Sequence, residues 1–222
     1  MGAKIQRTDR RSDALSKKRI VGVAIEILDD AGESALTFRA LAGRMATGSG
    51  AIYWHVSDKD ELLAAAAEEV VTPFMIKIGG GRPREAIRLI ALGLFDAIDA
   101  HPWVGTQLSR GPGQPAMLRI FEGIGGRLLA LGVPERALFD SWSALVNYIV
   151  GVAVQNAANA RSHARGTDRT ALLATVATQW SQLDPCEYPF LRQVAAQLRE
   201  HDDREQFLAG IDLILAGIGT VG

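Results

Sequence analysis

From Ser16 to Gly32 the apolar residues Ile20, Ala24, Ile27, Leu28 and Ala31 recur at intervals of three and four, which gathers them on one stripe of a helix over Lys17 to Ala31. Ser16 is placed to cap its start and Gly32 to stop it. Next, Leu41, Ala42 and Met45 give one inward face to a second helix behind an N-cap at Thr37. A turn at Ala46-Thr47-Gly48 follows, with Gly48 assigned the left-handed backbone and Thr47 and Ser49 set to cap a third helix, Gly50 to Val56. In that helix Ile52 and Val56 point to a core. Ser57 is then expected to cap a fourth helix, with Leu62, Leu63, Ala66, Val70 and Phe74 in phase and a kink at Pro73.

Gly79-Gly80-Gly81 and Arg82-Pro83 mark a boundary, after which helices recur to the end of the chain. Pro83 to Ala100 carries Ile87, Ile90, Leu94, Phe95 and Ile98 at helical spacing and closes at His101-Pro102. A short helix from Trp103 to Leu108 and a Gly-Pro loop lead to Pro115 to Leu131, in which Gly123, Gly125 and Gly126 each cost about 1 kcal/mol relative to Ala. Such a helix packs closely or bends. Pro134 to His163 holds an uncharged run, Ser141 to Ala160, long enough to raise a membrane span. Asn147, Gln155, Asn156 and Asn159 argue instead for a helix buried on two sides, one of them against a second subunit. Thr167 to Leu183, Tyr188 to Arg199 and Arg204 to Ile218 complete the helices, with a polar connection from Arg161 to Asp168.

Sustained alternation is missing, so the pattern predicts an all-α chain of nine to ten helices: three short N-terminal helices and a helical bundle. Composition adds that 222 residues, 48% of them hydrophobic, suffice for a sizeable core. One cysteine, Cys186, makes no internal disulfide, and four scattered histidines make no zinc site. With no N-terminal apolar stretch of the export type, a cytoplasmic protein is expected. Neither a phosphate-cradling glycine loop nor a nucleophile with a base is visible, so an enzyme is not expected, and no cofactor or metal either.

The net charge of −1 hides a division along the chain. Residues 1 to 20 hold seven basic residues against Asp9 and Asp13, a net of +5, which leaves −6 for the remainder. A basic arm over residues 1–15 thus precedes the short helices, as a chain that meets phosphates at one end requires.

The run from Ser16 to Leu63, with LTFRALA, AIYWHV and SDKDELL, resembles the DNA-binding headpiece of the TetR family of bacterial regulators. It departs from the family at the turn: Ala46 stands where Gly is usual, Thr47 where an apolar residue is usual, and Gly48 where Ser is usual. The resemblance implies a helix-turn-helix domain over 16–74 and a tetracycline-repressor-like body over 75–222 that binds a small molecule and dimerises. Thr37, Arg39, Thr47, Gly48, Ser49, Gly50, Tyr53, Trp54, His55 and Lys59 are the expected DNA contacts, with Lys59 free to reach a phosphate. Double-stranded DNA with a near-palindromic operator is the expected partner, and repression relieved by an effector the expected function. A ligand-independent helix-turn-helix protein is the alternative.

For the homodimer the candidates are Val146, Ile149, Val150 and Val154 on the long helix, with Leu213 and Ile214 on the last. Family members that take magnesium-chelated tetracycline use a histidine and an acid, and Trp103 to Ala116 and Val152 to Arg161 hold neither. A largely apolar effector is therefore expected, in a cavity lined by Trp103, Leu108, Met117, Phe121, Trp142, Asn147 and Gln155.

Overall fold

The computed structural model describes residues 15–78, 81–163 and 169–220, and the arm over 1–14, the glycines at 79–80 and the connection at 164–168 lie outside them. Among the described residues there are eleven α-helices, one 3-10 turn and no strand. The helices are α1 (Lys17–Ala31), α2 (Phe38–Arg44), α3 (Ser49–Tyr53), α4 (Lys59–Lys77), α5 (Pro83–Ala100), α6 (Pro102–Leu108), α7 (Pro115–Ala130), α8 (Glu135–His163), α9 (Arg169–Ser181), α10 (Pro189–Arg199) and α11 (Asp203–Ile218). The 3-10 turn, Glu33–Ala35, joins α1 to α2.

Helix α1 begins and ends as its sequence dictates. Ser16 Oγ accepts from the Arg19 amide, and Gly32 takes a left-handed backbone with φ 74°. Its stripe of Ile20, Ala24, Ile27 and Leu28 is buried and packs against α4. Helix α4 runs through Pro73 without a break, so the division expected at residue 74 falls inside a continuous rod. Its first half belongs to the headpiece, and its second half packs on α5 and α7 of the body.

The body is built on α5, whose buried Ile87, Ile90, Leu94 and Ile98 meet α7 and α8. Glycine lets α7 approach α4 closely, because a Cβ on Gly123 would lie 2.5 Å from Met75 Cε. The segment Glu135–Asn159 is long and apolar enough to cross a membrane by length and composition. Here Leu145, Ile149, Ala153 and Ala157 of that segment are buried in the protein core instead. Helices α9 and α10 pack mainly on one another.

Candidate nucleic-acid interface and effector cavity

Leu41, Met45, Ile52 and Val56 are all buried and lock α2 and α3 together. The turn between the helices is closed by Ala46 N to Gly43 O at 3.3 Å and Thr47 N to Ala42 O at 3.0 Å, the two bonds of a Schellman cap. That motif requires a left-handed residue, and Ala46 supplies it with φ 50°. The sequence pattern had assigned this role to Gly48, which is instead extended, with φ −80°, and is the N-cap of α3. No side chain bonds to the α3 cap, so neither Thr47 nor Ser49 has the capping role expected of it. Having a Cβ, Ala46 carries about 1–2 kcal/mol of strain that glycine would not.

Helix α3 is shorter than the pattern predicts, ending at Tyr53. His55 N and Val56 N both donate to Ile52 O, at 2.9 and 3.1 Å, so the chain leaves α3 in a tight turn. The Phe38 and Tyr53 rings stack with centroids 4.2 Å apart and planes within 4°. That stack fixes Tyr53 against α2, while Trp54 next to it is 90% exposed. Thr37, Arg39, Gly48, Ser49 and Gly50 are also exposed, and Thr47 and His55 partly so. The Thr37 hydroxyl is engaged as the α2 cap, accepting from Ala40 N at 3.0 Å.

Two expectations at the start of α4 need correction. Asp58 rather than Ser57 is the N-cap, its Oδ1 accepting from Glu61 N at 2.8 Å. Ser57 bonds back from outside the helix, both its amide and its hydroxyl donating to Glu61 Oε2 at 2.8 Å. Lys17 Nζ meets the other oxygen of Glu61 at 2.6 Å. The Lys17 bond first, and the Ser57 amide next, hold the Glu61 carboxyl down to about 2. Lys59 is not a free ammonium either, since its Nζ donates to Glu33 O at 2.7 Å and ties α4 to the 3-10 turn.

The headpiece is clasped to the body by polar contacts that the sequence does not announce. Asp29 Oδ1 on α1 accepts from Trp103 Nε1 at 2.7 Å and lies 2.8 Å from His101 Nδ1. Glu33 takes Gln107 Nε2 at 3.1 Å together with Arg110, which also reaches Asp60 at 2.9 Å. Arg119 on α7 holds Glu68 on α4 at 2.7 and 2.9 Å. Acids on separate elements of the headpiece thus face donors on α6, on its flanking residues His101 and Arg110, and on α7. Their sequence signal is faint, because Asp29 and Glu33 flank a helix end, where acids read as solvated.

Between α6, α7 and α8 lies a cavity of about 240 Å³ bordered by Leu108, Met117, Phe121, Trp142 and Asn147, five of the seven expected effector contacts. Phe121 meets Trp142 edge to face at 4.7 Å. Asn147 Nδ2 donates to Ser143 Oγ at 3.2 Å on the cavity's polar side. The other two residues are elsewhere. Trp103 is turned to Asp29, and Gln155 borders a separate cavity of about 640 Å³ between α8, α9, α10 and α11.

The interface candidates on α8 are out of phase. Ile149 is fully buried within its own chain and Val146 nearly so, while Val150 borders the α6–α7–α8 cavity. Val154 packs where a Cβ on Gly105 would lie 2.6 Å away. The open face of α8 carries Ala144, Asn147, Gly151, Gln155 and Ala158. On α11, Ile214 is half-buried, whereas Leu213 is 75% exposed and borders the same cavity as Gln155. The β-branched side chains fill the protomer core, and the small and amide residues are left outside.

A three-helix unit around a buried core, with the exposed Trp54 directly after its short third helix, joined through α4 to an all-helical body, defines a helix-turn-helix DNA-binding protein. Residues 20–66 match the family model "Bacterial regulatory proteins, tetR family" and residues 79–221 the model "Tetracyclin repressor-like, C-terminal domain". The chain therefore belongs to the tetR family and is a transcriptional regulator.

It is similar to the solved transcriptional regulator SCO7222, a TetR from Streptomyces coelicolor, with 53% identity over 94% of this chain and 99% of that one and a TM-score of 0.86. A curated HTH-type transcriptional regulator of Saccharopolyspora erythraea is 29% identical over 148 residues, 66% of this chain and 63% of that protein's length. The fold is shared with ActR of S. coelicolor, solved in complex with actinorhodin, at a TM-score of 0.75 and 24% identity over 92% of this chain and 95% of that one.

Proposed function

We propose that the chain is a repressor that acts in the cytoplasm as a homodimer on a near-palindromic operator and is released by a compact, largely apolar molecule. The headpiece through residue 74 reads the DNA, and the body from 75 senses the effector. One observation carries the reading: α4 runs unbroken from the headpiece to the walls of the body, so a change in the body moves the reader. In each subunit α3 enters the major groove with Gly48, Ser49 and Gly50 near bases. Thr37, Arg39, Thr47, Tyr53, Trp54 and His55 meet phosphates and groove walls, and a twofold axis sets the readers about 34–36 Å apart. The subunits meet through the open face of α8 and Leu213 of α11.

The effector enters the cavity at Leu108, Met117, Phe121, Trp142 and Asn147, where no lining residue is ionisable. This favours a neutral ring system with one or two hydrogen-bonding groups. ActR, which shares the fold, was solved in complex with actinorhodin. Occupancy shifts the population toward a form whose readers are misplaced. The test is selection of duplex DNA from a random pool with the full chain, followed by release with neutral polycyclic compounds. Enrichment of a two-half-site palindrome, released by a compound that fails on Trp142→Ala, supports the reading. An unstructured pool, or release that is indifferent to Trp142, overturns it.

A further inference from the structure

A further cleft in the body is larger than the cavity proposed for the effector. It lies between the second half of α4, the start of α5 and the outer face of α7, with a volume of about 710 Å³. Its walls are mainly apolar. Ile76 from α4 and Leu118 from α7 both line it, and they are 74% and 53% exposed. Gly126 leaves the α7 side open, because a Cβ there would meet nothing within 4 Å.

Four polar side chains are among those that line it: Thr72, Arg119, Glu122 and Arg127. Arg119 is matched by Glu68, which holds two of its nitrogens. Arg127 is different: one nitrogen donates to Ile78 O at 3.1 Å, and no carboxylate pairs with it among the described residues. Thr72 also lines the cleft, and its Oγ1 is buried with no hydrogen-bond partner among the described residues. A buried hydroxyl without a partner is costly, and a guanidinium with no carboxylate partner beside an apolar surface is a ready site for one. Glu122 on the rim disfavours a second negative charge on the occupant.

We propose that this cleft binds an amphiphilic monocarboxylate, its apolar part lying on Ile76, Leu118 and the open surface at Gly126 and its carboxylate on Arg127. The site is separate from the α6–α7–α8 cavity and does not depend on the function proposed for that cavity. An alkyl chain and a flat aromatic ring offer the same chemistry here, an apolar body with one anionic end. Because α4 forms one wall at Thr72 and Met75, next to Pro73, an occupant bridges the headpiece rod to α7.

The test is calorimetric titration of the full chain with decanoate and with 2-naphthoate, each beside its neutral methyl ester. Either acid is expected to bind at least tenfold more tightly than its ester, and Arg127→Gln to erase that difference. Gly126→Leu places a side chain in the open space and is expected to weaken binding at least tenfold without lowering the melting temperature. Whether decanoate or 2-naphthoate binds assigns the alkyl or the aromatic source. Equal affinity of acid and ester, no binding of either acid, or binding untouched by Gly126→Leu overturns the proposal. Binding abolished by Trp142→Ala but not by Gly126→Leu also overturns it, by moving the ligand into the other cavity, and leaves the effector reading intact.

Discussion

Trp103 Nε1 donates to Asp29 Oδ1 across 2.7 Å, linking the first turn of α6 in the body to the last turn of α1 in the headpiece. Trp103 is buried, so its indole fills space between the two regions while its N–H fixes their register. Trp103→Phe keeps most of that volume and removes the donor, leaving Asp29 with His101 alone. With Asp29 partly open to water, the loss is expected to be about 1 kcal/mol in urea denaturation. Operator affinity should persist while the effector's power to release DNA falls, as measured by anisotropy with and without ligand.

At the turn of the reading unit Ala46 holds φ 50°, the conformation that glycine adopts without cost. Ala46→Gly is expected to stabilise the chain by about 1 kcal/mol through release of that strain, less the entropy that glycine adds to the unfolded chain. Thermal melting checks it, and a lower melting point would show that the left-handed alanine is not strained.

The Asp29–Trp103 contact and the left-handed Ala46 differ in how far the sequence conveys them. Apolar spacing, Ser16 and Gly32 located α1 to the residue, because a capped helix with one apolar stripe has a single solution. The turn was legible as a turn but not in its internal phase: Gly48 looked like the left-handed residue, and backbone closure onto Ala42 and Gly43 selected Ala46. On α8 the phase failed for a related reason. A helix apolar on two faces gives no indication of which face meets its own core, and the bulkier Val146 and Ile149 went inward. Longer-range polar contacts such as Asp29 with Trp103 have no local pattern, so nothing in the sequence announced the clasp.

Glu61 accepts from Lys17 and Ser57, and its pKa falls from 4.5 to about 2. A carboxylate whose pKa is lowered by folding contributes stability that is complete above about 4.5 and lost as pH falls toward 2. The headpiece should therefore weaken across that acid window, and Glu61→Gln should flatten the slope there. Urea midpoints at pH 6, 4 and 3 measure it. An unchanged slope in Glu61→Gln would assign the acid sensitivity to another carboxylate.

Ile149 and Leu213 separate folding from assembly. Ile149→Arg puts an unpaired charge into the protomer core and should cost several kcal/mol, so that the chain fails to fold. Leu213→Arg alters a side chain that is 75% exposed in one protomer and should leave helicity intact. If α8 and α11 form the subunit contact, sedimentation of Leu213→Arg gives a folded monomer. A dimer of undiminished affinity would move the interface to another face.

Lys59 and Arg39 should part company when salt is varied. Both are basic side chains beside α3 and both are expected DNA contacts from the sequence, Lys59 on a phosphate. Lys59 Nζ is committed to Glu33 O at 2.7 Å, whereas Arg39 is exposed on the first turn of α2. A bond from an ammonium to a carbonyl contributes more than a neutral one, so Lys59→Ala is expected to lower stability by about 1–2 kcal/mol. Its effect on the salt slope should be small, since that ammonium is already bonded within the protein. Arg39→Ala should do the reverse, leaving the melting temperature in place while weakening binding to all duplexes alike and reducing the salt slope by about one unit. If Lys59→Ala flattens the slope and leaves stability unchanged, the Glu33 contact yields to DNA on binding and Lys59 returns to the phosphate contacts.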